Sequence, residues 1–136
     1  MFPDLFGSVD LLSRGLDAAQ LRQDVIANNI ANVDTPGFKA SHVEFEQYMK
    51  DALESDGYYS NDGTVAEKAT FGNATNAQDV EPEVVQDTDT TMRMDENNVD
   101  VEAQMIEMIK NSVYYNTLSL KVNNQLERLK LAIDGK

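Results

Sequence analysis

The sequence predicts a mainly α fold. Two long terminal helices form an antiparallel coiled-coil hairpin, a short third helix follows a Pro-Gly turn, and an acidic middle is irregular or carries short strands. Three observations predict it. Apolar side chains recur at alternating steps of four and three near both ends. Thr35-Pro36-Gly37 breaks the first of these periodicities, and the negative charge collects between them. The chain divides accordingly into an N-terminal helix and its Asn/Pro-Gly turn over 1–40, a short helix and an acidic, partly disordered middle over 41–97, and a C-terminal helix over 98–136.

At 136 residues the chain amounts to one modest domain. It has no cysteine, so neither disulfides nor thiolate chemistry enter. The net charge is −13, which argues against nucleic acid, where affinity rests on neutralising phosphates. Residues 51–100 carry 2 basic and 13 acidic groups, a net of −11, so the acidity belongs to the middle and the ends are nearly neutral. No apolar run approaches the roughly 18 residues of a membrane span. Met1 to Gly15 contains Asp4, Asp10 and Arg14 and does not read as a cleavable signal peptide.

In the first helix Leu5, Val9, Leu12, Leu16, Ala19, Gln23, Ile26, Ile30 and Val33 make a heptad seam of about 26 residues, and Leu11, Ala18 and Val25 form a second apolar line. Ser8 or Asp4 is placed to cap its start. Asn28, Asn29 and Asn32 crowd its end. Thr35, preceding a proline, is pushed to an extended conformation. Pro36 and Gly37 suit the central positions of a type II turn. Local capping is the favoured use of the asparagines over contact with another chain.

Beyond the turn, Ser41-His-Val-Glu44 matches a capping box, and Phe45, Tyr48, Met49, Ala52 and Leu53 suit a short amphipathic helix to about Glu54. His42 has no second histidine or cysteine near it, which disfavours a ligand or catalytic role. In the middle, Tyr58-Tyr59, Val84-Val85 and Met92 could make brief strands or clamp a partner. Asp87-x-Asp89-x-Thr91 opens like a calcium loop, but Met92 stands where the glycine is needed and Asn98 where the glutamate is needed. A solvated acidic face is expected there, with no cofactor and no metal.

The last helix repeats the pattern of the first. Val101, Met105, Met108, Ser112, Tyr115, Ser119, Val122, Leu126, Leu129 and Ile133 step by four and three over about 35 residues, or roughly 50 Å. Asp100 caps the start and Gly135 closes the end. Ile106, Ile109, Val113 and Leu120 form a second apolar line. A lone hairpin with two apolar lines per helix leaves one line bare. The expectation is an assembly subunit whose termini fold fully on association, and head-to-tail contacts that do not close give filaments.

These residues carry a resemblance. The stretch ANNIANVDTPGFKA over 27–40 resembles the signature of the bacterial flagellar basal-body rod and hook proteins, Asn-x-Ala-Asn followed by Thr-Pro-Gly-aromatic. Its positions here are Asn29, Ala31, Asn32, Thr35, Pro36, Gly37 and Phe38, with Asn28 and Ile30 inside the same run. Asn98-Val99-Asp100 opens the last helix in the family manner. The run KASHVEFEQYMKDAL and the ending LAIDGK are similar to the proximal-rod members, whereas Ser55 to Met92 has no firm match.

The resemblance implies a structural subunit of the periplasmic drive shaft, polymerising through helix seams at Leu12, Leu16, Ile26, Ile30, Met105, Met108, Tyr115, Val122, Leu126 and Leu129. It implies as partners other rod subunits and further copies of the chain, the MS-ring and its adaptor protein, and the flagellar type III export apparatus, with no cleaved signal peptide. Phe2, Leu5 and Phe6 resemble the hydrophobic element that such subunits offer the export gate, and a frayed helix start is the alternative. A helical-hairpin binding module, such as an export adaptor or chaperone, is the rival function. An enzyme would need a nucleophile, base or metal cluster that the sequence does not offer.

Overall fold

The computed structural model describes residues 3–55, 80–88, 94 and 96–135. In chain order these form helix α1 (Pro3–Ala31), strand β1 (Ser41–Glu44), helix α2 (Glu46–Ser55), strand β2 (Glu83–Gln86) and helix α3 (Val101–Asp134). The fold is mostly helical, with a long helix at each terminus and one small two-stranded sheet. Tyr58-Tyr59, Met92, and Asp89 and Thr91 of the Asp87-x-Asp89-x-Thr91 run lie outside the described residues.

α1 is the central element. Along one side it meets α3 in antiparallel register. Ser8 lies opposite Gln125, Gly15 opposite Leu118 and Asn29 opposite Gln104, and each pair of numbers adds to 133. Gly15 leaves room for the side chain of Leu118, since a Cβ there would lie 3.1 Å from Leu118 Cδ1. On the other side Ala18 packs with Val43 of β1 and with Phe45, both buried, and Leu21, Val25, Met49 and Val80 close round them. Arg14 Nη1 donates to Val80 O at 3.2 Å, and Arg22 Nη2 reaches both carboxylate oxygens of Glu46 at 2.6 and 2.7 Å. These contacts bring the segment before β2, and α2, against α1.

Three local expectations are corrected. Ser41–Glu44 is a strand rather than a capping box: it pairs antiparallel with β2, Ser41 against Gln86 and Glu44 against Glu83, and helix α2 begins only at Glu46. The physical reason is long-range. Val43 finds a buried place on α1, and the backbone of Ser41 is held by Asn29, so its groups are not available for a helix start. Ser8 does not stand at the start of α1, because the helix is already formed at Pro3, where a proline fits the first turn, and Asp4 lies inside it. The side chain of Ser8 is instead buried and accepts from Gln125 Nε2 at 2.9 Å.

The third correction concerns α3. Its face toward α1 comprises Val101, Gln104, Met108, Asn111, Leu118, Ser119, Val122, Gln125 and Leu129, the less exposed positions of the helix. At Met105, Ser112 and Leu126 the expected seam is therefore displaced by one residue, onto the amides Gln104, Asn111 and Gln125. Asn111 Nδ2 donates to Ala19 O at 2.8 Å and to Gln23 Oε1 at 3.2 Å, and Gln104 accepts from Asn29. Met105 and Leu126, expected in the seam, are 53% and 46% exposed. Polar partners on α1 selected the amide line for the inside and left the more apolar line outside. The ends of α3 are as the sequence reads: Asp100 Oδ1 accepts from Glu102 N and Ala103 N, and Gly135, at φ 63, donates to Leu131 O.

Candidate functional site

The Asn/Pro-Gly stretch forms a corner where α1 ends, β1 begins and α3 is launched. It is built almost wholly from amide side chains holding backbone. Asn29, on the last turn of α1 and 1% exposed, makes a two-point contact with one residue. Its Nδ2 donates to Ser41 O at 2.7 Å and its Oδ1 accepts from Ser41 N at 3.0 Å. The same Nδ2 reaches Gln104 Oε1 at 3.1 Å, so one side chain ties α1 to β1 and α3. A carboxamide is the group that can do this, since it offers a donor and an acceptor side by side.

The helix itself unwinds through short-range bonds. Asn32 N donates to Asn28 O and Asn29 O, Val33 N to Ile30 O, and Thr35 N to Asn32 O. Asn32 also caps locally, its Nδ2 on Asn28 O at 2.8 Å and its Oδ1 accepting from Thr35 Oγ1 at 3.2 Å. Phe38 N then donates to Thr35 O at 3.2 Å, and Gly37 has φ 71, a backbone state that costs most other residues 1 kcal/mol or more. Pro36 and Gly37 are exposed, as are Asn28, Ala31 and Thr35, whereas Ile30 and Phe38 are half-buried.

Two further asparagines complete the corner. Asn97 is fully buried, and its Nδ2 faces the carbonyl oxygens of Asn32, Val33 and Thr35 at 3.0, 3.0 and 2.9 Å. Its Oδ1 accepts from Val99 N at 2.7 Å. It gathers the orphan carbonyls that a helix C-terminus leaves. Asn98 fills the gap between the strands: its Oδ1 accepts from Ala40 N at 2.6 Å, its Nδ2 donates to Asp87 O at 2.9 Å, and Asp87 N donates to Ala40 O at 2.8 Å. Glu96, at φ 65, turns the chain just before them. Sequence reasoning placed Asn98 at the opening of α3, without a role in the corner, and missed Asn97. The signal that could have found both is two adjacent amides directly ahead of the Val99-Asp100 helix start.

The expected seam residues are distributed as follows. Ile26 is buried; Leu12, Leu16, Ile30, Met108, Val122 and Leu129 are half-buried; Met105, Tyr115 and Leu126 are exposed. Leu5 and Phe6 lie in the first turns of α1, and Phe2 lies outside the described residues. His42 is exposed on β1, with Nδ1 3.2 Å from Asp87 Oδ1 and Nε2 3.4 Å from Glu44 Oε1. Among the described residues no group of three or more His, Asp or Glu could hold a metal ion, and no helix is long and apolar enough to cross a membrane. The corner thus has the chemistry of a joint: it fixes directions of chain and offers no reacting group.

Residues 10–39, most of α1 and the turn, match the model of the family described as "Flagella basal body rod protein". Over nearly the whole chain the sequence is similar to curated relatives called flagellar basal body rod protein FlgB. That of Borrelia hermsii is 39% identical over 131 residues, 90% of each chain. That of Borreliella burgdorferi is 36% identical over 118 residues, 85% of this chain and 87% of the relative. That of Bacillus subtilis is 30% identical over 135 residues, 95% of each.

Proposed function

This chain belongs to the flagellar basal body rod proteins of the FlgB kind, and from that premise we propose that it polymerises through its terminal helices, held at a fixed angle by the asparagine corner. It is a structural subunit of the basal-body rod and not an enzyme. One observation carries the proposal. The outer face of α3 is a row of large apolar side chains, with Ile106, Ile109, Val113, Leu120 and Leu131 each more than half exposed. At about 1.5 Å per residue that helix is about 51 Å long. An apolar stripe of such length on a subunit's surface belongs against other subunits.

On this reading the α1–α3 pair is an antiparallel coiled-coil hairpin, Thr35 to Phe38 is a type II turn, and residues 1–40 and 98–136 are the assembling parts around the middle 41–97. The turn reading is supported by the sign of φ at Gly37 and by the Phe38-to-Thr35 hydrogen bond. The motif residues from Asn28 to Phe38 then act through geometry, by setting the angle at which the helices are presented. The partners are other rod subunits and further copies of the chain, with the MS-ring and its adaptor protein at one end. The flagellar type III export apparatus delivers the chain to the periplasmic rod, taking hold of Phe2, Leu5 and Phe6.

The test is to place charges on the outer row. Ile109→Asp with Val113→Asp, at positions 66% and 61% exposed, should leave the helical circular dichroism of the isolated protein unchanged and abolish rod formation and swimming. Motile cells with intact rods would overturn the proposal.

A further inference from the structure

The contact between α1 and α3 has a notch in it. A groove of about 370 Å³ opens beside Asn111, lined by Ala19, Gln20, Gln23, Ser112, Tyr115 and Asn116. At its floor Asn111 is 4% exposed, and its Nδ2 is fully used, but its Oδ1 is buried with no hydrogen-bond partner. A buried acceptor left unpaired is destabilising, so this groove lacks a donor.

Gln20, on the groove's edge, lies between Asp17 and Asp24 on the exposed face of α1. The three follow at steps of three and four and share one side of the helix. Neither aspartate has an ion-pair partner among the described residues. The complementary set is on this same chain. Arg14, Arg22 and Lys110 are paired with Asp10, Glu46 and Glu107, and Lys39 and Lys50 also have partners. Lys121, Arg128 and Lys130 have none among the described residues, and all three stand exposed on the second half of α3. Asn124 lies between Lys121 and Arg128 on one side of that helix, again exposed.

We propose that the Lys121–Asn124–Arg128 flank of α3 in one copy docks on the Asp17–Gln20–Asp24 flank of α1 in a second copy, with the Asn124 amide supplying the donor that Asn111 lacks. The proposal rests on the rod reading above and names the contact between copies within it. Lys121 to Arg128 and Asp17 to Asp24 are each seven residues, about 10.5 Å apart along their helices, so both ion pairs form together. In a head-to-tail assembly all copies run the same way, so the docking α3 is antiparallel to the α1 that receives it. That pairs Asp24 with Lys121 and Asp17 with Arg128, and brings Asn124 level with Gln20. Leu120 and Leu131, 64% and 54% exposed, border the basic flank and are covered by the same contact. Within one copy the pairing is impossible: residue 24 lies opposite residue 109 in the register of the hairpin, some twelve residues or about 18 Å from Lys121.

The chain has no cysteine, so Asp24→Cys with Lys121→Cys in the full-length protein reports this contact alone. Residues so far apart in one copy cannot form an internal disulfide. Oxidation of basal bodies carrying the double variant should give dimers and longer multimers of this chain, and each single variant should give none. Charge reversal is the second arm. Asp17→Lys with Asp24→Lys should lose swimming, and adding Lys121→Asp with Arg128→Asp should restore it. Protein retained in basal bodies with no homodimer, a link to a different protein only, or reversal without effect on swimming would overturn the docking while leaving the rod reading intact. Absence of the chain from basal bodies would overturn both.

Discussion

Asn29 and Ser41 are joined at two points, side-chain amide to backbone, with Nδ2 2.7 Å from the carbonyl oxygen and Oδ1 3.0 Å from the amide nitrogen. This contact replaces a strand partner on the open side of β1 and fixes how the chain leaves the end of α1. Asn29→Ala removes both bonds and leaves two backbone groups unpaired beside a side chain that is 1% exposed. At about 1–3 kcal/mol for a buried polar group left unsatisfied, the variant should lose a few kcal/mol in urea unfolding. Asn29→Asp should fare no better, since it keeps only the acceptor.

Asn97 gives a sharper contrast. Its Nδ2 serves three carbonyl oxygens, so aspartate, nearly the same in shape, would set negative oxygens against them. Asn97→Asp should therefore destabilise more than Asn97→Ala at neutral pH, and the order should narrow in acid as the carboxyl takes up a proton and can donate. Parallel denaturation curves of the two variants at neutral and acidic pH check this.

Tyr48 supplies a pH signature for the seating of α2 on β2. Its hydroxyl donates to Glu83 Oε2 at 3.1 Å, and that hydrogen bond, reinforced by the carboxylate's charge, raises the phenol above its ordinary value of about 10. A phenol that keeps its proton longer in the fold than in the unfolded chain stabilises the fold below about pH 10. The contribution is lost as pH rises through the raised value. Tyrosinate absorbance, taken as the difference from Tyr48→Phe, should show a late titration that Glu83→Gln moves back toward the ordinary value.

Much of this was legible because it is local. Asp100 and Gly135 mark the ends of α3 by rules that act within a turn, and the heptad steps reveal both helices. What the sequence hid is set by distant partners. Periodicity counts apolar residues and cannot tell which of two lines faces inward. Here Gln104, Asn111 and Gln125 face α1 because Asn29, Ala19, Gln23 and Ser8 offer them hydrogen bonds. Ser41–Glu44 carried a plausible capping signature and lost it to β2, some forty residues on. Within the corner, the turn residues announced themselves, and Asn97 did not, since its three acceptors lie more than sixty residues earlier.

The central claim, that this chain is a built-in part of the rod, is tested most directly by fractionation. The protein is tagged within residues 56–79, basal bodies are purified and washed with detergent, and the tag is measured before and after extraction of peripheral proteins. Retention at a fixed number of copies per basal body, together with loss of swimming on deletion, is the predicted result. Recovery from the cytoplasm alone, with swimming unaffected by deletion, would contradict it.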